Sequence, residues 1–253
     1  MREPKSILIT GASSGIGAAL ARCYAAPATH LALTGRDAGR LAAVESACRA
    51  AGAETAGGCI DVTERARLAA WIDEIDRERP LDLVVANAGI SAGTGDAGES
   101  DEQARRILAV NVDGVINTVL PALSHFRKRK RGQIAIVSSL AAFRGFPGAP
   151  AYCASKAAVR VWGESLRGHL AGEGIGVTVV CPGFVKSRMT AVNPFPMPFL
   201  MESERAAAVI KRGLARNKAR ISFPWPLSAA IWLFAALPPG MTDPLLRRLP
   251  EKV

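Results

Sequence analysis

The amino-acid sequence predicts a doubly wound (Rossmann) α/β fold, a mostly parallel sheet with helices on both faces. Short apolar, β-branched runs alternate with longer segments of helical periodicity, the pattern of successive βαβ units. A glycine-rich turn, Thr10-Gly11-Ala12-Ser13-Ser14-Gly15-Ile16-Gly17, follows the first of those runs and opens a helix. A length of 253 residues suits one large domain of this class, 1–253.

Strands are expected at Ser6–Thr10, Leu31–Thr34, Leu81–Ala86, Gln133–Ser138 and Val177–Cys181, where unbroken apolarity suits strands covered on both sides. Thr55–Ile60 is a weaker strand, diluted by Gly57 and Gly58, and Ala219–Phe223 is the last. Helices are expected at Gly15–Ala26, Ala38–Ala51, Glu64–Arg79, Asp101 to about Arg129, and Ala151–Ala171. Each stops before a proline or glycine: Pro27, Gly52, Pro80, Gly132 and Gly172. Residues 184–200 break the alternation and read as an inserted loop rich in Phe, Met and Pro. A substrate lid is therefore expected at about 184–205, and a variable C-terminal segment at 221–253.

Composition excludes several classes of function. With 49% hydrophobic and 21% charged residues the chain is not a disordered one. Five scattered cysteines, odd in number and without a CxxC pair, fit neither a disulfide framework nor a zinc site. They read as reduced thiols of a cytoplasmic protein. The net charge of +10 is local: Arg127–Arg131 and residues 200–253 each carry +5, and the remainder is neutral. The first of these patches ends a long helix, where cations complement the dipole. No aromatic platform or reading helix accompanies it, so no nucleic-acid partner is expected. The apolar run Ile7–Ile9 is too short for a signal core. The longest apolar stretch, Leu227–Leu237, is bracketed by Pro224, Pro226, Pro238 and Pro239 and falls short of the roughly 20 residues that span a bilayer. Trp225, Trp232 and Phe234 lie in or beside it, with Arg247 and Arg248 beyond. Peripheral lipid contact is one reading of this segment; a dimer interface or ordinary core helix is the favoured one.

The chemistry begins at the glycine turn. Gly11 permits the sharp turn, Gly15 lets backbone approach a pyrophosphate, and Gly17 lets the helix pack close to the sheet. Free N–H groups at the helix start suit phosphate. At the end of the second strand, Gly35-Arg36-Asp37 places a guanidinium where the 2′-phosphate of NADP would lie, while Asp37 is suited to cap the next helix. Tyr152 and Lys156, spaced i and i+4, share one face of a helix. A phenol titrates near 10, and a neighbouring ammonium together with a cationic nicotinamide would lower that value. Ser138-Ser139, Asn87-Ala88-Gly89 and Pro182-Gly183 end three further strands, where open α/β sheets bind ligands, and Asn111 sits unusually inside the long helix.

TGASSGIG (10–17), DV (61–62), NAG (87–89), Asn111, the serine ending the fifth strand, YCASK (152–156) and PG (182–183) occur in one order and spacing that resembles the single-domain short-chain dehydrogenases/reductases. The resemblance runs from residue 6 to about 190 and implies a sheet of about seven strands. It implies that Ser139 polarises the substrate oxygen and that Tyr152 exchanges the proton. Lys156 would bind the nicotinamide ribose and lower the Tyr152 pKa, and Asn111 would hold a water linking Lys156 to solvent. By the same resemblance the dinucleotide touches Gly11, Ser13, Ser14, Gly15, Ile16, Gly17, Arg36, Asp61, Val62, Asn87, Ala88, Gly89, Tyr152, Lys156, Pro182, Gly183, Val185 and Ser187. Asp61 and Val62 would meet the adenine and Asn87 the adenosine ribose.

Two positions depart from the family pattern: Ser14 stands where NADP-preferring members often carry a basic residue, and Ser187 where Thr is frequent. The expected cofactor is NADP(H) in preference to NAD(H), a choice resting on Arg36. The expected reaction is hydride transfer to or from a small-molecule carbonyl or secondary alcohol, apolar or amphipathic, in the reducing direction, by a homodimer or homotetramer. No metal is expected. The competing expectations are an NAD-dependent dehydrogenase and a catalytically silent dinucleotide sensor on the same fold.

Overall fold

The computed structural model describes residues 3–92, 98–193 and 195–246. Arg247 and Arg248, singled out above, lie outside the described residues. Seven strands form one wholly parallel sheet: β1 (Ser6–Thr10), β2 (His30–Thr34), β3 (Glu54–Gly58), β4 (Leu83–Ala86), β5 (Gly132–Val137), β6 (Ile175–Pro182) and β7 (Arg220–Phe223). Their order is β3-β2-β1-β4-β5-β6-β7, so the winding direction reverses between β1 and β4. That reversal leaves a crevice at the carboxyl ends of the central strands.

Alternate residues of the strands feed two cores, as the two-residue period of a strand requires. Ile7, Ile9, Leu31 and Leu33 pack with α1 (Gly15–Tyr24), α2 (Ala38–Ala50) and, further along the chain, α8 (Ser203–Ala215). Leu8, Ala32, Val84 and Ile134 face the other way, onto α3 (Arg65–Glu78), α5 (Gly114–Arg129) and α6 (Pro150–His169). The edge strand β3 is only partly buried, which accounts for its glycine-diluted sequence.

The helix expected from Asp101 to about Arg129 is present but not uniform. α4 (Asp101–Leu108) passes through a π turn at Ala109–Asp113 into α5. Asn111 lies in that π turn, which reconciles a poor helix former with a helical position. The whole helix is apolar enough to cross a bilayer by composition, yet Val115, Thr118, Val119, Ala122, Leu123 and Phe126 face the core. Its apolarity is that of a core helix.

Other expected boundaries shift by a few residues. β2 begins at His30, whose ring is buried against Ser6. β4 begins at Leu83 rather than Leu81, and β6 extends from Ile175 to Pro182. The expected lid ends earlier than residue 205, because Ser203 already starts α8. Before it come a short helix, α7 (Arg188–Ala191), and a parallel bridge between Val185 and Met201. The C-terminal segment folds as α9 (Trp225–Ala236) and α10 (Pro239–Leu246). α9 contains no buried residue, so the reading of this stretch as an ordinary core helix is wrong.

The basic run at the end of α5 is largely consumed by ion pairs. Arg127 bonds Glu173 at 2.8 Å, Arg129 bonds Asp76 at 2.6 Å and Arg131 bonds Asp82 at 3.2 Å.

Candidate active site

The carboxyl ends of the strands open into one cleft of about 1000 Å³. It brings together Gly11, Ser13, Ser14, Gly15 and Ile16 of the glycine turn, Arg36, Asp61, Val62, the Asn87-Ala88-Gly89 corner, Ser139, Tyr152, Lys156, Pro182, Gly183, Val185 and Ser187. Two expected residues are not on its wall. Gly17 packs behind it, where a side chain would collide with the Gly11 carbonyl and the Asn87 amide. Asn111 is fully buried beneath it.

The glycine turn is shaped by necessity. Gly11 and Gly15 have φ of +66° and +53°, the left-handed region that favours glycine. A Cβ on Gly11 would stand 2.8 Å from the Ala88 Cα, so the β1 and β4 corners touch through backbone alone. Thr10 locks them: its Oγ1 accepts the Asn87 N–H at 3.1 Å and the Ala88 N–H at 3.2 Å. The Asn87 side-chain amide donates back to the Thr10 carbonyl at 2.8 Å. Asn87 is thus first a staple between strands.

Tyr152 and Lys156 sit one turn apart on α6, and β5 delivers Ser138 and Ser139 toward them. The two serines divide their work. Ser138 is buried and donates to the Lys156 carbonyl at 2.7 Å, holding α6 against β5. Ser139 opens toward the cleft, where its hydroxyl accepts the Ala141 N–H at 3.1 Å and donates to the Pro182 carbonyl at 3.5 Å. Asn111 supports the same helix from below. It accepts the Ile90 N–H at 2.8 Å and donates to the Ile90 carbonyl at 2.9 Å and to the Ser155 hydroxyl at 3.0 Å. Ser155 passes this on by donating to the Tyr152 carbonyl at 2.7 Å. Ser155 was not among the expected site residues; its position between Tyr152 and Lys156 was the available signal.

Burial dominates the electrostatics of the pair. Burial raises the Tyr152 pKa, and the neighbouring Ser139 hydroxyl only partly opposes it. The Lys156 ammonium lies over the face of the Tyr152 ring, 5.8 Å from the centroid, and donates to the Val137 carbonyl at 3.0 Å. Lys156 is itself pulled down from 10.5 to about 8 by burial. A side chain at Gly89 would fall 3.1 Å from Lys156 Nζ and 3.2 Å from Asn111 Oδ1, so its absence keeps open the space that both groups address.

At the opposite end of the cleft Arg36 is exposed, 3.8 Å from the Asp61 carboxylate. Burial alone would raise the Asp61 pKa; hydrogen bonds from the Thr63 backbone and hydroxyl, with the Arg36 charge, carry it below the usual range. Arg40 lines the cleft beside Arg36 and was missed by the sequence reading. Asp37 caps α2 by accepting the Arg40 N–H at 2.9 Å and pairs with the Arg40 guanidinium at 2.8 Å, in keeping with its expected capping role. Ser187 caps α7 and reaches the glycine turn, 3.1 Å from where a Gly15 Cβ would lie.

The sequence pattern of the short chain dehydrogenases matches residues 5–194. An uncharacterized oxidoreductase of Myxococcus xanthus is 42% identical over 246 residues, covering 97% of each chain. A short-chain dehydrogenase from Sphingobium yanoikuyae, solved in complex with NADPH, superposes with a TM-score of 0.79 at 25% identity, covering 97% of this chain and 96% of that one. One from Mycobacterium paratuberculosis, bound to NAD, gives a TM-score of 0.80 at 24% identity over 89% of this chain and 98% of that one. With the fold and the cleft geometry, these likenesses establish that the chain belongs to the short-chain dehydrogenase/reductase family of NAD(P)-dependent oxidoreductases.

Proposed function

We propose that the protein reduces an apolar or amphipathic ketone or aldehyde with NADPH, through Ser139, Tyr152 and Lys156. The observation carrying this reading is their convergence at one end of a cleft whose other end holds the glycine turn and two arginines. The glycine turn is a backbone cradle that side chains would fill, which fits a pyrophosphate. The bound dinucleotide supplies the hydride. Ser139 donates a hydrogen bond to the substrate oxygen, and Tyr152 gives its phenolic proton to the alkoxide as it forms. Burial holds the phenol in its neutral form, the form that serves as proton donor when the carbonyl is reduced. Lys156 binds the nicotinamide ribose. Asn111 holds Ile90 and Ser155 in place and, through the open space at Gly89, a water that returns the proton toward Lys156 and solvent.

NADP(H) is favoured over NAD(H) because Arg36 and Arg40 stand together at the adenosine end, while Asp37 is committed to its cap and to Arg40. Phe184, Met189, Phe195, Leu227 and Ile231 line the other end and favour an apolar substrate, with residues 184–202 as its lid. Assembly as a homodimer or homotetramer, for which Leu108, Leu120 and Val161 are exposed, and a cytoplasmic location, supported by five free thiols, belong to the same proposal. The decisive test is NADPH consumption over ketones of increasing chain length, with Tyr152→Phe as control. An unchanged rate in that variant would exclude the mechanism.

A further inference from the structure

From Pro224 to Leu246 the chain carries a single charged residue, Asp243. Arg144 pairs with that carboxylate at 2.6 Å and also donates to the Thr242 hydroxyl at 3.0 Å, so α10 is tethered to the loop that follows Ser139. α9 bears two apolar stripes. Leu227 and Ile231 pack on the small cluster of Leu140, Val179 and Cys181 and line the catalytic cleft. On the outer side Trp225, Ala229, Trp232, Leu233 and Ala236 follow the spacing i, i+4, i+7, i+8, i+11 and are all exposed, Trp225 at 77% and Trp232 at 63%. Met241, at 68%, continues this surface onto α10.

We propose that the outer face of α9 and α10 docks on an anionic lipid bilayer, and that α9 thereby sets the mouth of the cleft against the source of an amphiphilic substrate. The second clause rests on the reductase reading; the first does not. A helix apolar all round belongs in a core or in lipid, and this one is exposed along its outer stripe. Tryptophans seven residues apart on a helix of 12 residues suit a segment lying in the plane of the headgroups, too short to cross. A protein interface supplies about one hydrogen bond per 100–200 Å². The outer stripe offers only its two indole N–H groups. Residues 200–253 carry a net charge of +5, with Arg247 and Arg248 directly after the apolar segment in the sequence, which favours an anionic surface.

The full chain is mixed with vesicles of phosphatidylglycerol and phosphatidylcholine, or of phosphatidylcholine alone, and sedimented. The wild type is expected in the pellet with the anionic vesicles and in the supernatant with the neutral ones. Trp225→Ser/Trp232→Ser is expected to partition about tenfold less or weaker still, with unchanged NADPH-dependent reduction of a small water-soluble ketone. A wild type that stays in the supernatant with both vesicles, or a double variant that sediments like the wild type, overturns the docking. So does a wild-type dimer that the double substitution converts to monomer, because a second copy then covers the stripe. Ketone reduction without vesicle binding defeats the docking alone; vesicle binding without NADPH binding supports it while defeating the reductase reading.

Discussion

At the glycine turn and the Asn87–Gly89 corner the cleft is shaped by close backbone approach; between Phe184 and Ile231 it is walled by apolar side chains. The first wall depends on particular atoms. Gly11 and Gly17 have no room for a Cβ, and Thr10 and Asn87 bond each other's main chain across two strands. The second depends on volume and apolarity: Phe184 and Phe195 meet edge to face at 6.2 Å between centroids, and Leu227 and Ile231 come from a helix that touches solvent. Atom-specific walls hold one shared ligand in one pose, whereas volume-specific walls can be reshaped without losing the fold. On the proposed reading, substrate choice rests on the side chains from Phe184 to Ile231.

The sharpest way to break this division is at the residues that both walls share. Tyr152→Phe should lower kcat by about 10²–10⁴-fold while leaving the Kd for NADPH within a factor of about two, read by single-turnover kinetics and fluorescence titration. Lys156→Met should also abolish most activity, yet raise the Tm of the free protein. Burial moves this amine from 10.5 to about 8, a displacement worth roughly 3 kcal/mol at about 1.4 kcal/mol per unit. Its folded value lies below its unfolded one, so the native state binds fewer protons between those values and stability rises with pH across that interval. Thermal scans from neutral to alkaline pH should show this rise in the wild type and not in Lys156→Met.

Two changes confined to single walls sharpen the contrast. Arg36→Ala/Arg40→Ala should weaken NADPH binding by roughly 10²–10⁴-fold, because each charge-assisted hydrogen bond is worth about 1.5–3 kcal/mol, and should leave NADH within about twofold. Equal losses for both dinucleotides would remove the case for NADP. Ile231→Ala should raise KM for an apolar ketone by about tenfold, with kcat and cofactor affinity preserved. A fall in cofactor affinity there would show that the walls are not separate.

The same division governs what could be read from the sequence. The glycine turn, the NAG corner and the Tyr-Lys pair were legible because their geometry demands those residue types at those spacings. Arg40 was not, since a cation in the first turn of a helix has many ordinary uses. α8 escaped the sequence reading although Ser203, Ala206, Ala207, Ile210, Gly213 and Leu214 form its buried stripe; small residues blur the contrast on which periodicity depends. α9 could not be assigned from periodicity because it has no polar face, and only the structure separates its inner stripe from its outer one. The raised pKa of Tyr152 was likewise out of reach, because burial is a property of the folded site.

The π turn at Ala109–Asp113 stores one residue more than a regular helix needs. Deleting a single residue there would let α4 and α5 fuse into an uninterrupted rod, a locally better helix. It would leave α4 and α5 in phase but remove the widened turn that aims the Asn111 amide at Ile90 and Ser155. A shorter, straighter variant of this protein would therefore gain backbone regularity at the expense of the strut beneath its proton donor.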